Sequence, residues 1–220
     1  MLPLDIQNRL SLRRQIFDYL SNQIEKGVLT PGSLINVRRL SEELNVSRTP
    51  LREALAQLEV QGFVTIMPQR GVLINVLTYE ELLDIFEILG ALESHVLQTV
   101  SHLMNTNAID AMEQHNHDMA QAILNDHNRK FHETNILLHR VFLDLSSNKK
   151  LITTISNLKL KLFGFALKSY RKRFKEAIVQ EHREFIALLK AGKHSQAVDY
   201  LKNVHWRFNY PDNFIRPDSV

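Results

Sequence analysis

Turn chemistry is crowded into the front of this chain, and that constrains its architecture most. Gly27, Gly32, Gly62 and Gly71 fall within the first 71 residues, whereas only Gly90, Gly164 and Gly192 occur in the remaining 149. Glycine and proline set where regular elements stop. The front must therefore hold several short elements and the back a few long ones. Two architectures in one chain are expected: residues 1–76, residues 77–210, and a tail over 211–220.

In the front part, Leu12, Ile16, Tyr19, Leu20 and Ile24 recur at helical spacing, with Gly27 as the stop. Thr30-Pro31-Gly32 is a turn. Leu40 and Leu44 mark a short helix over 38–44. Asn45-Val46 makes a tight connection, and Ser47 is placed to cap a third helix ending near Gln61 and Gly62. The β-branched runs 63–66 and 72–76, parted by Pro68-Gln69-Arg70-Gly71, read as a hairpin. From Thr78 onward strands vanish. Thr78 with Glu80 and Glu81 opens a helix, and further helices are expected over 107–125, 127–145, 148–169, 174–191 and 194–208. The predicted fold class is mainly α: an N-terminal helix-turn-helix with a small β-hairpin wing, then an all-α bundle.

Composition excludes several functions. There is no cysteine, so disulfides, thiolate metal sites and cysteine nucleophiles are ruled out. No apolar run of about 18 residues is present, so no membrane span is expected. The opening stretch carries Asp5 and lacks a signal-peptide pattern, which makes the cytoplasm the expected compartment. A formal charge of +3 is too small to name a partner.

Chemistry concentrates in two places. Around the tight turn, Ser47, Arg48, Thr49 and Arg52 stand at the start of the third helix. Arg48 and Arg52 are four apart and share a face. A helix start offers N–H groups and hydroxyls to phosphates, and the two-pronged guanidinium fits the O6 and N7 edge of guanine. Arg38 projects from the preceding helix, and Arg70-Gly71 at the hairpin tip can approach a DNA backbone or minor groove. In the back half all ten histidines lie between His95 and His205. Asn128 and His132 are i and i+4, while His182 and His205 lie on two other predicted helices. Three imidazoles and one oxygen converging in a bundle would hold a divalent metal such as zinc. No acid occurs from Leu145 to Lys175 while nine Lys or Arg do, which reads as a solvated face from which one or two side chains turn inward. Lys161 and Arg140 are the cations assigned to an anionic effector.

The stretch from Leu12 to Val76, with Leu40-Ser41-Glu42-Glu43-Leu44-Asn45-Val46-Ser47-Arg48-Thr49-Pro50-Leu51-Arg52-Glu53-Ala54-Leu55 at its centre, resembles the GntR family of bacterial transcription regulators, in its FadR-like branch. The resemblance implies a winged helix-turn-helix that binds a pseudo-palindromic double-stranded operator as a homodimer, more often repressing than activating. It implies DNA contacts by Arg38, Arg48 and Arg52, phosphate contacts at Ser47, Thr49 and Pro50, and a wing tip at Gly71 in the minor groove. The back half resembles the FCD ligand-binding domain through Asn128 to His132, Glu181-His182, Val204-His205 and Ser147-Asn148 with Leu151. That likeness implies a divalent metal on Asn128, His132, His182 and His205 beside a small effector, often an organic acid.

Two departures stand out. Val204 occupies the slot of the last histidine, so either the helix carries a bulge or His205 misses the site, since one residue is about 100° of rotation. Leu89 stands where many members carry an arginine. Two other functions compete. A metal-dependent hydrolase would need a nucleophile or base, and His132-Glu133-Thr134-Asn135-Ile136 lacks the second histidine of a helical zinc-protease motif. An architectural DNA-binding protein would use the bundle only to dimerise.

Overall fold

A computed structural model describes residues 9–25, 28–169 and 171–207. The chain divides into two compact units, Met1–Leu77 and Thr78–Val220. Gly27 and the tail over 211–220 lie outside the described residues.

The N-terminal unit runs α1 (Arg9–Glu25), β1 (Leu34–Ile35), α2 (Val37–Glu43), α3 (Arg48–Val60), β2 (Val64–Met67) and β3 (Gly71–Ile74). Helix α1 packs on α3. Their inward stripes, Ile16 and Leu20 against Leu51, Leu55 and Leu58, are fully buried. Phe17 is buried with them, whereas Tyr19, expected inside, is only half-buried. Asn45 takes a positive φ of 51° between α2 and α3, a conformation asparagine tolerates better than most residues. At the other end of α3, Gly62 has φ +76° and Phe63 N donates to Leu58 O, which turns the chain back as a strand.

The wing is a three-stranded antiparallel sheet in the order β1-β3-β2. Val64 pairs with Ile74 and Met67 with Gly71, while Ile35 pairs with Val72. Strand β1 is an addition to the expected hairpin: two residues are too few to show a period-2 pattern. Two side chains pin the wing to α3. Glu59 Oε1 accepts from Ile66 N at 2.6 Å, and Asn75 Nδ2 donates to Gly62 O at 3.0 Å.

The C-terminal unit is all helical: α4 (Tyr79–Val100), α5 (Thr106–Leu124), α6 (Asn128–Leu143), α7 (Lys149–Ser169), α8 (Lys172–Lys190) and α9 (His194–Tyr200), with a short 3-10 turn at Ser101–Leu103. Helix α4 opens on a complete capping box: Glu81 N donates to Thr78 Oγ1 while Thr78 N donates to the Glu81 carboxylate. Phe131, Phe142, Phe174 and Phe185 fill the interior with Leu82 and Leu89 of α4. After α9 the helix loosens into a π-turn over Leu201–His205, closed by Trp206 N donating to Leu201 O at 3.0 Å. Of the two outcomes that the position of His205 left open, a bulge or a histidine outside the site, this is the bulge. One extra residue is absorbed, and the chain beyond it is rotated back into phase. Gly90 of α4 makes room for it: a Cβ there would stand 3.0 Å from Trp206 Cβ.

Gly71 has φ +121°, and a Cβ on it would lie 2.6 Å from the Ile35 carbonyl oxygen. Gly71→Ala is expected to cost about 1–3 kcal/mol through strain and displacement of β1. Amide exchange at Ile74, which donates to Ser33 O, should accelerate about tenfold or more, with no change at amides of α5 or α8.

Candidate functional site

The first candidate surface lies on the N-terminal unit, where α2, the start of α3 and the wing tip border a groove of about 430 Å³. Arg38, Arg48, Arg52, Arg70 and Gly71 all line it. The four arginines are exposed. Arg38 is held by Glu42 at 3.1 Å in an i,i+4 pair with both side chains largely in water. Such a pair is worth little and yields readily to a phosphate. Among the described residues no ion pair engages Arg48, Arg52 or Arg70. Ser47 occupies the N-cap position of α3 with extended backbone, but its side chain makes no capping bond. That corrects the expectation of a Ser47 cap. The backbone, with φ −69° and ψ 157°, has the N-cap conformation, and only the side-chain bond is missing. Thr49 is exposed and Pro50 half-buried in the first turn of α3, where proline's missing N–H costs nothing. The face is cationic, solvated and edged with unspent donors.

The second candidate lies inside the bundle. His139 of α6, His182 of α8 and His205 of the π-turn are buried, and one ring nitrogen from each lies within 4.8 Å of the others. His139 Nε2 and His182 Nε2 are 3.2 Å apart. Two nitrogens each about 2.0–2.1 Å from a tetrahedral zinc would stand about 3.3 Å apart, so the spacing suits one ion. Two of the rings are oriented from behind by carboxylates. His139 Nδ1 donates to Glu93 Oε2 at 2.7 Å, and His205 Nδ1 donates to Glu181 Oε2 at 2.9 Å. A carboxylate can only accept, so each bond fixes the tautomer and leaves Nε2 with its lone pair. That arrangement is the usual support of metal-binding histidines. Asn135, one turn before His139 on the same face of α6, has a buried Oδ1 with no hydrogen-bond partner, and His182 Nδ1 is equally unmet. Neutral imidazoles plus an orphaned amide oxygen form a fitting donor set for a divalent cation.

Glu93 of α4 is wholly buried. Besides His139 it accepts from Trp206 Nε1 at 3.0 Å, and Lys159 Nζ lies 2.6 Å from its other oxygen. Burial opposes its charge, but Lys159 and His139 outweigh burial and hold its pKa at about 2. Burial and the Lys159 cation push His139 down to about 4 despite the help of Glu93. Burial, then His205, His139 and Lys159, keep His182 well below the usual imidazole value. Both rings are therefore neutral and free to donate electron pairs.

Comparison with known proteins decides the assignment. Residues 12–74 match the family described as bacterial regulatory proteins, gntR family, and residues 84–205 match the FCD domain. The chain belongs to the gntR family and carries an FCD domain. That family is described as bacterial regulatory proteins, and the relatives below are named as transcription regulators, which speaks against the hydrolase alternative. The regulator is 27% identical over 148 residues to the HTH-type transcriptional repressor RspR of Escherichia coli K12, a match covering 67% of this chain and 65% of that one. It is 24% identical over 196 residues to the gluconate operon transcriptional repressor of Bacillus licheniformis, covering 86% and 79%. Its fold is similar to that of E. coli McbR/YncC, with a TM-score of 0.73, 19% identity, and coverage of 88% and 92%. Among the described residues no helix is long and apolar enough to cross a membrane.

Not all expected site residues of the regulator converge. His182 and His205 do. Asn128 and His132 do not: the Asn128 amide oxygen accepts from Lys175 Nζ, and His132, buried against Phe131, is absent from the cluster. Asn-x-x-x-His occurs twice on α6, at 128–132 and again at 135–139. Seven residues are two turns, so both copies share a face about 10.5 Å apart along the axis. Only the positions of α8 and the π-turn select the second. Arg140 points away from the interior and pairs with Asp144 at 3.1 Å on the exposed side. Lys161 is half-exposed, and the inward cation is Lys159. The basic stretch is mixed: Lys149 and Lys150 are exposed, but Lys159 and Lys175 turn in. Glu93, Asn135, His139 and Lys159 escape sequence reasoning. The repeated Asn-x-x-x-His pattern is a usable signal for two of them.

The neutral buried histidines make a stability prediction for chelator-treated protein. From pH 6.5 down to about 4 the unfolded chain binds protons that folded His139 and His182 refuse, so stability falls as pH drops through that window. Glu93, ionised in the fold down to about 2, adds a further loss below pH 4.5. Urea midpoints followed by Trp206 emission should fall steadily between pH 6.5 and 4.5. A flat profile would mean that these rings are not neutral in the fold.

Proposed function

We propose that this regulator is a homodimeric, metal-dependent repressor that reads a pseudo-palindromic operator in the cytoplasm and answers to a small organic-acid effector. The observation that carries the metal part is the convergence of His139, His182 and His205, two of them backed by carboxylates. These three, with Asn135, would hold the ion. When bound, it supplies positive charge and open coordination for a ligand. The chain's own residues do the rest. Glu93 and Glu181 orient two rings, the π-turn rotates His205 inward, and Trp206 closes the site against Phe86 at 5.4 Å.

The DNA part rests on the exposed arginines around the groove. Arg48 and Arg52 read base edges. Arg38, Ser47, Thr49 and the backbone at Pro50 hold phosphates. Arg70 and Gly71 bring the wing to the minor groove. Two copies are needed because half-sites recur one helical turn apart, about 34–36 Å. Effector coupling of about 1–3 kcal/mol would change operator affinity about 5–150-fold.

Arg48→Ala with Arg52→Ala should abolish specific operator binding in a gel shift and leave salt-sensitive non-specific binding. Arg38→Ala should instead weaken all sequences alike and lower the salt slope by about 1. Sedimentation should give a dimer.

For the metal, elemental analysis after dialysis against zinc should find one ion per chain. His139→Ala or His182→Ala should lower affinity by at least a hundredfold, Asn135→Ala by about tenfold, and His132→Ala not at all. Retention of zinc by His139→Ala and loss by His132→Ala would return the site to the upstream copy of the motif.

A further inference from the structure

The tip of the wing carries a strained residue that the fold does not call for. Arg70 N donates to Met67 O at 3.1 Å, which closes a four-residue turn with Pro68 second and Gln69 third. Proline holds its own φ at about −65°, and Gln69 has φ +62°, so the turn is of type II. Its third position suits glycine or asparagine, because a Cβ crowds left-handed backbone. Among the described residues three non-glycines have positive φ, and the other two, Asn45 and Asp126, are of the types that accept it best. Gln69 is the exception.

No contact within the unit offsets that strain. Gln69 is exposed, and among the described residues no hydrogen bond engages its carboxamide. Glycine would close the same turn more easily. A side chain kept in an unfavourable conformation without an internal contact points to an external one.

The position says what that contact is. Gln69 borders the groove lined by Arg38, Arg48, Arg52 and Arg70. Those four guanidiniums can only donate. At the tip, Pro68 and Gly71 bring no polar side-chain atom, whereas the Gln69 amide brings two donors and an acceptor oxygen. In the minor groove an A·T pair shows acceptors alone, and a G·C pair adds the N2 amine of guanine as a donor. Arginine answers the first pattern and leaves guanine's donor unmet, which costs binding. A carboxamide oxygen meets it.

We propose that Gln69 reads one base pair per half-site through the minor groove, and that its amide oxygen selects G·C there by accepting from guanine N2. This rests on the proposed placement of the wing in that groove. Arg70 beside it supplies attraction, and Gln69 supplies the preference.

The test removes a single amine. Full-length protein selects its tightest duplexes from a random-sequence pool, and hydroxyl-radical cleavage maps where it shields the minor groove. Each shielded guanine is then replaced in turn by inosine, which lacks the N2 amine and keeps the major-groove edge. At one guanine per half-site, inosine should weaken wild-type binding roughly three- to tenfold, the worth of one hydrogen bond. Gln69→Gly suits the turn and should bind the guanine and inosine duplexes alike. Gln69→Lys keeps the reach and the donors but not the acceptor, and should lose the discrimination too. Comparing variants with wild type cancels the weaker pairing of inosine itself. Wild-type indifference to inosine at every shielded guanine would overturn the proposal. So would a shielded groove holding only A·T pairs, or a discrimination that persists in Gln69→Gly. A wild type that shields no minor groove fails at the placement of the wing, and a shielded groove without dependence on the amine fails here alone.

Discussion

One carboxylate, wholly inside the bundle, organises the C-terminal unit. Glu93 sits on α4 and receives His139 from α6, Lys159 from α7 and Trp206 from the segment after the π-turn. Four elements meet on two oxygens. An ionised group in such a place is tolerable only when opposite charge and donors face it, since leaving it unmatched costs several kcal/mol; here Oε2 takes both hydrogen bonds and Oε1 faces the Lys159 ammonium. Each partner is therefore held in place by a demand that the others share. His139 is fixed in the tautomer that exposes Nε2. Trp206 is locked edge-on to Phe86, and its backbone N–H closes the π-turn that carries His205. The histidine cluster results from how that carboxylate is satisfied.

The two units use charge in opposite ways. On the N-terminal unit the arginines of α3 and the wing stay in water, unpaired or weakly paired, around a groove built by apolar packing behind them. Cations left in solvent keep their reach and their counterions, as long-range attraction to phosphate requires. In the bundle the ionic groups are dry, close and committed. Interactions there are strong because water is excluded, and specific because each group has few alternatives. A regulator needs both regimes: one to find a polyanion, the other to recognise a small molecule.

Much of this is legible in the residues. The turn-rich front, the long helical back, the Asn45 turn, the Thr78 start and the arginine spacing are local signals, and the elements form within a few residues of the expected ranges. The site inside the bundle is legible only in part. His182 and His205 are identifiable. The Asn and His of α6 are expected one heptad early, because a helix face repeats every two turns and the same four-residue spacing occurs at both levels. Arg140 and Lys161 differ from Lys159 only in which way a helix turns. Strand β1 is invisible because two residues carry no periodicity.

By itself the sequence determined the element types, their order, the exposed cationic start of α3 and the chemistry available to the bundle. These depend on neighbours within one or two turns, where backbone geometry and side-chain size suffice. The tertiary structure decided which of the two Asn-His pairs meets His182, how the offset of His205 is absorbed, and which lysine enters the interior. Those outcomes depend on where distant helices cross and on which groups gather around a single buried carboxylate, and contacts between residues 46 to 113 positions apart leave no periodic trace along the chain.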